Sequence, residues 1–407
     1  MNIKKNIIFP LLAAVAMVSC ATRQQHAGGS TAVQPQATAQ GAHSLESKKE
    51  NAPFWSSLFT EVCRNSEEEN VCISPLSAQL ALAMTANGAT DETQKEMYDA
   101  MRLGREANTA AKSTIERLSD EKHGCEASIA NSIWINDKLD VKQEFINTNK
   151  EFFNALVTTA PFNRETLNAI NSWCSESTKG KIKSAIDEIK KSDRMYLINA
   201  LYFKGGWQEE FSKSNTKEKP FTREDGSIVN VPMMHQVIKT QHYEDSLIQV
   251  TSKHFDAAYT MLLVLPAEGV SIEEATAHLA ANYEKILGCT DTYQVTLSMP
   301  KFRSDFGAGL KAPLKKLGMQ RAFSSNAEFD GISDEPLKID NIFQKTFIKV
   351  DETGAEAAAL TVTRVGALAM VRELEKRTMN LNRPFIYLIK DYRQNILFIG
   401  KTGNPDK

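Results

Sequence analysis

The apolar run MYLINALYF at residues 195–203 is the sequence feature that most restricts the fold. A strand with one face in water alternates polar and apolar residues, whereas a nearly continuous apolar run predicts a strand buried on both faces. A sheet covered on both faces needs packed layers above and below it, so the chain must form a large domain. Its 407 residues, 42% of them hydrophobic, are sufficient for this and exclude a disordered or collagen-like chain.

Further patterns predict strands and helices around that run. Alternating or apolar stretches predict strands at 127–135, 259–265, 293–299, 384–389 and 395–400. Apolar residues at helical spacing predict helices at 52–65 and 142–156. No internal repeat or long linker divides residues 52–404. We therefore predict an α+β fold, with one large domain that contains several sheets.

Capping residues predict where two more helices begin and end. Ser74 is a suitable N-cap and Pro75 a suitable first helical residue, and Gly88 marks the end of that helix. Thr90 is the predicted start of the next helix. These two helices should follow directly on the short apolar strand that precedes Ser74.

Residues 1–20 have the organisation of a targeting signal. Lys4 and Lys5 precede an apolar run too short to span a bilayer as a mature helix, and small residues then lead to Cys20. This order resembles a bacterial lipoprotein signal, which is cut just before a cysteine that becomes lipidated. The alternative is an ordinary signal peptide cut nearby. We predict a signal peptide at 1–20, lipidation of Cys20, and a flexible linker at 21–51.

The predicted location follows from this segment. A lipidated Cys20 would attach the protein to the bacterial cell envelope, at the outer membrane or the cell surface, and would be its only link to a membrane. The sequence leaves open whether the domain faces the periplasm or the exterior.

Charge and motif content argue against nucleic-acid binding and against the common enzyme classes. Lys and Arg total 48, Asp and Glu total 50, and no basic block is present. GxSxG, HExxH, Walker-type and GxGxxG motifs are absent, and no two of the seven histidines lie four residues apart. We predict no enzyme activity, no metal site and no cofactor. A hydrolase with a divergent active site is the rival hypothesis.

The cysteines do not form a recognisable framework. Besides Cys20 the chain has five, an odd number without CxxC spacing, which predicts mostly free, buried thiols. A bridge between Cys63 and Cys72 is left open because this is the only pair close in sequence.

Nine segments spread over residues 52–405 are similar to segments of the serpin family and occur in the family's order. They are NVCISPLSAQLALAMTANGAT (70–90), INSWCSESTKGKI (170–182), LINALYFKGGW (197–207), VPMM (231–234), LSMPKF (297–302), LGMQRAF (317–323), VDETGAEAAALT (350–361), NRPFIYLI (382–389) and LFIGKTGNP (397–405). The resemblance implies a single serpin-like domain at 52–407. It implies three β-sheets, about eight or nine helices and an exposed reactive-centre loop.

The segment VDETGAEAAALT resembles the hinge at the base of that loop; on residue propensity alone a short surface helix is the alternative. The resemblance implies that the hinge inserts into the main sheet as a new central strand once the loop is cut. The hinge residues are Glu352, Gly354, Ala355, Glu356, Ala357, Ala358, Ala359 and Thr361. Since alternate side chains of a strand share a face, Ala355, Ala357 and Ala359 would point inward, where small side chains fit. Leu360 would lie on the opposite, more exposed face.

The resemblance also implies a position for the reactive bond. The family's spacing from the hinge glycine leads from Gly354 to Leu368, with Ala369 after the bond. The chain before NRPF is longer than usual, which leaves alternative cleavage sites open at Arg364, Ala367, Met370 and Arg372. Leu368 implies a target endopeptidase with an apolar primary pocket, of the serine class, with the papain-like cysteine class as the alternative.

Six other residues match parts of the family that move when the sheet opens. Ser74, Ser77 and Asn199 match the region beneath the opening point, and Gln344 stands where the family commonly has His. Glutamine donates and accepts hydrogen bonds but does not titrate. Trp207 and Lys301 match the top of the sheet, where Lys301 would pair with Glu352.

The resemblance implies a suicide-substrate inhibitor of endopeptidases. The protease would cut the loop, form an acyl-enzyme and be trapped while the loop inserts. We expect a monomer without catalytic residues. The alternative within the family is a non-inhibitory serpin that acts as a carrier, a chaperone or a protease substrate, and the small residues of the hinge favour the inhibitor.

Overall fold

The computed structural model describes residues 52–104, 106–119, 125–255, 259–355 and 373–407. Within these residues nine α-helices occur: α1 (Phe54–Arg64), α2 (Pro75–Ala86), α3 (Asp91–Met101), α4 (Ala107–Leu118), α5 (Gln143–Phe153), α6 (Arg164–Ser177), α7 (Ile272–Ala281), α8 (Tyr283–Leu287) and α9 (Lys311–Lys316). Short 3₁₀ turns lie at Lys213–Asn215 and Arg321–Phe323. None of the described helices is long and apolar enough to cross a bilayer.

The described residues also form fifteen strands. They are β1 (Asn70–Ile73), β2 (Cys125–Asn136), β3 (Leu156–Ala160), β4 (Met195–Gly206), β5 (Lys217–Thr222), β6 (Ile228–Glu244), β7 (Ile248–His254), β8 (Tyr259–Pro266), β9 (Thr292–Pro300), β10 (Phe302–Gly309), β11 (Asn341–Asp351), β12 (Gly354–Ala355), β13 (Lys376–Asn380), β14 (Phe385–Asp391) and β15 (Ile396–Thr402). The strands and helices predicted from the sequence are all present, with boundaries shifted by a few residues.

Six strands form what we call the main sheet, in the order β10-β11-β12-β4-β2-β3. β4 contains the apolar run, and both of its faces are buried as predicted. Met195, Leu197 and Phe203 point into the larger core, while Tyr196 and Ile198 point to a second cluster on the outer face. The prediction holds because α6 packs on that outer face and contributes Ile170 and Cys174 to the second cluster.

The remaining nine strands form one connected sheet, in which the long β6 pairs with both β7 and β9. The resemblance implied three sheets. In the described residues two of these are joined, because β6 runs without interruption from one half to the other.

The larger core lies between the two sheets. The ring of Phe203 in β4 lies 5.1 Å from that of Phe255, 5.3 Å from Tyr259 and 6.4 Å from Phe398 in β15. These edge-to-face contacts fix the main sheet against the second sheet at the level where β12 begins.

Helix α2 is buried along nearly all its length beneath the main sheet. As predicted, it begins at Pro75, and the Ser74 hydroxyl accepts a hydrogen bond from the Ser77 N–H at 3.2 Å. Thr90 precedes α3 as predicted, although its side chain makes no capping bond there.

The five cysteines in the described part of the chain are free, so the Cys63–Cys72 bridge left open above is not formed. Burial raises the pKa of Cys63 to about 12, with the charge of Lys401 opposing this effect, and keeps the thiol protonated. Cys72, Cys125 and Cys174 are buried, in agreement with the prediction.

Candidate functional site

The chain enters the main sheet again directly after β11. Residues 352–353 turn, and β12 pairs antiparallel with β11 through Val350–Ala355 and Asp351–Gly354. On its other side β12 pairs antiparallel with β4 through Gly354–Gly206 and Ala355–Gly205. The first two residues after the turn thus lie between two strands, and Ala355 is fully buried.

Below this point β11 and β4 pair directly with each other. Their parallel register runs from Asn341–Tyr196 to Phe347–Tyr202. The two strands therefore separate only at the top of the sheet, where β12 lies between them. Gly354 has φ +150°, a backbone conformation that side-chain-bearing residues rarely adopt, so glycine suits the turn into β12.

Glu352, in the turn before β12, is a buried carboxylate held by polar contacts with partly exposed side chains. Its carboxylate lies 3.0 Å from the Lys301 ammonium and accepts a hydrogen bond from the Thr216 hydroxyl at 2.9 Å. Burial raises the pKa of Glu352, but the hydrogen bonds and charge of these partners outweigh burial and leave the pKa below 4.5. The ion pair therefore stabilises the turn at pH values above the pKa that Glu352 has in the unfolded chain. This contribution is lost as the pH falls through the pKa that Glu352 has in the folded protein.

The predicted contact between Lys301 and Glu352 is thus present. Thr216 was not identified from the sequence, because it lies 136 residues before Glu352 in a stretch without a distinctive pattern.

Trp207 holds the backbone of the same turn. Its indole N–H donates to the carbonyl of Asp351 at 2.9 Å, and its main-chain N–H donates to the carbonyl of Thr353 at 2.9 Å. The indole also stacks on Phe255, with the ring centroids 4.3 Å apart and the planes tilted by 10°. Trp207 therefore lies where the resemblance implied, at the top of the main sheet.

Gln344 and Ser74 join β11 to the start of α2 beneath the sheet. The Gln344 side-chain carbonyl accepts from the Ser74 N–H at 2.9 Å, and its amide donates to the Ser74 carbonyl at 2.9 Å. Both residues and Ser77 are buried. The amide satisfies both backbone groups without a titrating side chain, which agrees with the expectation for glutamine at this position.

Asn199 lies in β4 directly opposite Gln344 in the strand register. The role predicted for its side chain lies outside the described part of the structure. The same is true of Cys20, of the segments 1–20 and 21–51, of the hinge residues Glu356, Ala357, Ala358, Ala359 and Thr361, and of the reactive bond Leu368–Ala369.

The site thus consists of the two-residue strand β12 between β11 and β4. The turn before β12 is held by the Lys301–Glu352 ion pair and by hydrogen bonds from Thr216 and Trp207. Among the described residues no group of three or more His, Cys, Asp or Glu could hold a metal ion. The arrangement places the start of a chain segment between two strands of the main sheet.

The fold, with the two-residue strand β12 between β11 and β4, defines the class of protein to which the chain belongs. The family model for Serpin, described as serine protease inhibitor, matches residues 49–405, and the chain belongs to this family. Family members are typically protease inhibitors rather than enzymes.

Relatives of known sequence and structure agree with this assignment. Human Serpin I2 is 28% identical over 88% of this chain and 92% of its own length. A serpin-like protein of Thermococcus kodakarensis is 32% identical over 86% of this chain and 84% of its own length.

Two solved structures share the fold closely. Tengpin, a thermophilic serpin in its native state, is 30% identical, with a TM-score of 0.79 over 91% of this chain and 96% of its own. Thyroxine-binding globulin in complex with thyroxine is 28% identical, with a TM-score of 0.78 over 88% of this chain and 99% of its own.

Proposed function

We propose that the chain is a suicide-substrate inhibitor of endopeptidases that traps its target by inserting its cut loop into the main sheet. The observation that supports this most directly is β12. Gly354 and Ala355 are already paired with β11 on one side and with β4 on the other. Insertion then needs only the continuation of a strand that has already begun.

The register of β12 predicts the partners of each following residue. Continued in the same register, residues 356–365 would pass alongside β4 from Lys204 to Met195 and alongside β11 from Lys349 downwards. The direct parallel pairing of β11 with β4 would be replaced by two antiparallel ladders. Antiparallel pairs are slightly more stable per residue than parallel ones, and each new ladder adds hydrogen bonds, so the exchange is favourable.

The residue types of the hinge agree with this register. Ala357 would point into the core between Phe203 and Ile348, both fully buried, where a small side chain avoids overpacking. Glu356 would point outward between Lys204 and Lys349, one of them half-buried and the other exposed, where its charge is opposite to both.

The register also supports cleavage at Leu368. The start of β4 at Met195 would pair with residue 365, so the new strand would end just before Leu368. A cut between Leu368 and Ala369 would therefore release the whole insertable strand. We propose a target endopeptidase with an apolar primary pocket, of the serine class or, as the alternative, of the cysteine class. We also propose that the inhibitor is a monomer.

The proposal is tested by incubating the purified protein with a panel of serine and papain-like cysteine endopeptidases. We expect a complex that survives denaturing gel electrophoresis with at least one protease of apolar specificity. Mass analysis of the released carboxyl-terminal fragment should show that it begins at Ala369. A protein that every protease in the panel cleaves, without any stable complex, would instead be a non-inhibitory serpin.

We further propose that the domain is attached to the bacterial cell envelope through lipidated Cys20. The support is the order of Lys4 and Lys5, the apolar run and Cys20 in the sequence. Because stable anchoring takes two or more lipid chains, the lipid should dominate partitioning. We expect Cys20→Ala to release the protein from the membrane fraction of its host, as measured by fractionation. A parent protein that is already fully soluble would contradict the lipidation.

A further inference from the structure

Lys253 in β7 is a buried cation close to the hinge. Its side chain is almost entirely covered, with the residue only 2% exposed. The ammonium donates to the main-chain carbonyl of Glu209 at 2.5 Å and to the side-chain carbonyl of Gln236 in β6 at 2.8 Å. Lys253 therefore ties the segment after β4 to two strands of the second sheet.

Two aromatic rings cover the same ammonium. It lies 4.7 Å from the ring centroid of Phe211 and 5.5 Å from that of Trp207. The negative faces of these rings attract the charged form of the side chain, whereas the loss of water around it favours the neutral amine. Residues 207–211 thus form a lid over Lys253.

The lid is also the part of the structure that holds the hinge. The main-chain N–H of Trp207 donates to the Thr353 carbonyl, and that of Phe211 donates to the Glu352 carbonyl, both at 2.9 Å. The Trp207 indole N–H donates to the Asp351 carbonyl. We call residues 207–211 and 351–353 together the hinge clasp. Movement of the lid would loosen the hinge and expose Lys253 at the same time.

We propose that Lys253 is a positioning residue of the hinge clasp, and that opening of the clasp is coupled to proton uptake by Lys253. This inference rests on the proposed function in one respect only, that insertion of the loop requires the clasp to open. The hydrogen bonds and rings around Lys253 are present independently of any protease.

The direction of the pH effect follows from burial. Burial lowers the pKa of Lys253 from 10.5 to about 7, and the charge of Glu209 opposes this effect only in part. When the lid moves away, water solvates the amine and its pKa returns towards its ordinary value. Below about pH 7, Lys253 is charged whether the hinge clasp is closed or open, so the equilibrium between the two states does not depend on pH. Above pH 7 the closed state is neutral and opening takes up a proton, so opening becomes about tenfold less frequent per pH unit.

The other charged groups around Lys253 would not produce this pH dependence of clasp opening. Glu209 and Glu210 on the lid are exposed carboxylates. Burial, followed by the charges of Lys390 and Lys253, lowers the pKa of His254, the next residue in β7, so His254 stays neutral above pH 7. The Glu352 carboxylate, paired with Lys301, stays ionised there because its pKa is below its ordinary value. Burial also lowers the pKa of Lys390 in β14, so that residue requires a control.

Amide hydrogen exchange of Trp207 and Phe211 measures the opening directly and needs no protease. In the parent protein, the protection factors of these amides should rise about tenfold per unit between about pH 7 and pH 9, after correction for intrinsic exchange. In Lys253→Met, which keeps the length of the side chain without its charge, they should be independent of pH. The control variant Lys390→Met should behave like the parent.

Lys253→Arg provides a second test should the Met variant fold poorly. The guanidinium stays charged, so protection should again be independent of pH and remain at the parent's low-pH level. A parent protein with constant protection would overturn the inference, and so would either Lys253 variant that retains the tenfold rise. Because exchange is measured without protease, absence of inhibition in the panel would count against the proposed function and not against this coupling.

Discussion

Cleavage of the loop at Leu368 should raise the melting temperature of the protein by roughly 10 °C or more. The extrapolated strand would gain hydrogen bonds to both β4 and β11, and each is worth ~0.5–1.5 kcal/mol net. The uncut chain keeps the parallel pairing of β11 with β4 and has only Gly354 and Ala355 between them. On the proposed mechanism, the uncut chain would therefore be trapped short of its most stable arrangement. Melting curves of intact and cut protein, followed by circular dichroism, measure the difference.

Cleavage within residues 21–51 is the matched control, because the sequence predicts a flexible linker there and not part of the loop. It should leave the melting curve unchanged. Equal melting temperatures for intact and loop-cleaved protein would contradict insertion, and the chain would then have to be a non-inhibitory member of the family.

Local sequence patterns predicted the elements of the fold well. The apolar run at 195–203 predicted a strand buried on both faces, and Ser74 with Pro75 predicted the start of α2. Both signals are local, because they depend on residues within one element. Local patterns could not predict that β6 joins two sheets. That joining depends on which distant strands pair with each half of β6.

The candidate site was predictable only in part for the same reason. The composition of the hinge and the pairing of Lys301 with Glu352 followed from the family resemblance. The contacts of Lys253 with the hinge clasp did not, because Phe211, Gln236 and Lys253 come from three separate parts of the chain. From the strand sequence IQVTSKH alone, Lys253 would be predicted to be an ordinary exposed residue, because the lid that covers it comes from another part of the chain.

Extrapolation of the β12 register gives a different expectation for one residue of the inserted strand. The outward face was expected to be exposed at Leu360. In the register of β12, residue 360 would lie beside Ala200, which is 1% exposed within the cluster beneath α6. The outward face is open near Lys349, at the top of the sheet, and covered lower down, so Leu360 is a poor site for a control substitution.

The two adjacent alanines at 357 and 358 offer a sharper comparison. In the register of β12, residue 357 would point into the core between Phe203 and Ile348. Residue 358 would point outward beside Phe347. The guanidinium of Arg303 lies 5.0 Å from that ring and the ammonium of Lys181 lies 5.9 Å from it. The same new carboxylate would therefore meet only apolar side chains at 357 and two cations at 358.

Ala357→Glu should abolish most inhibition, and Ala358→Glu should leave it largely intact. An unpaired carboxylate in the core costs several kcal/mol, and each 1.4 kcal/mol slows insertion about tenfold, so hydrolysis of the acyl-enzyme would outrun insertion. We expect the stoichiometry of inhibition of Ala357→Glu to rise roughly tenfold or more, with the loop cut at an unchanged rate. The measurement is a titration against a protease that the parent inhibits. Equal stoichiometries for the two variants would show that side chains do not alternate along this segment as an inserted strand requires.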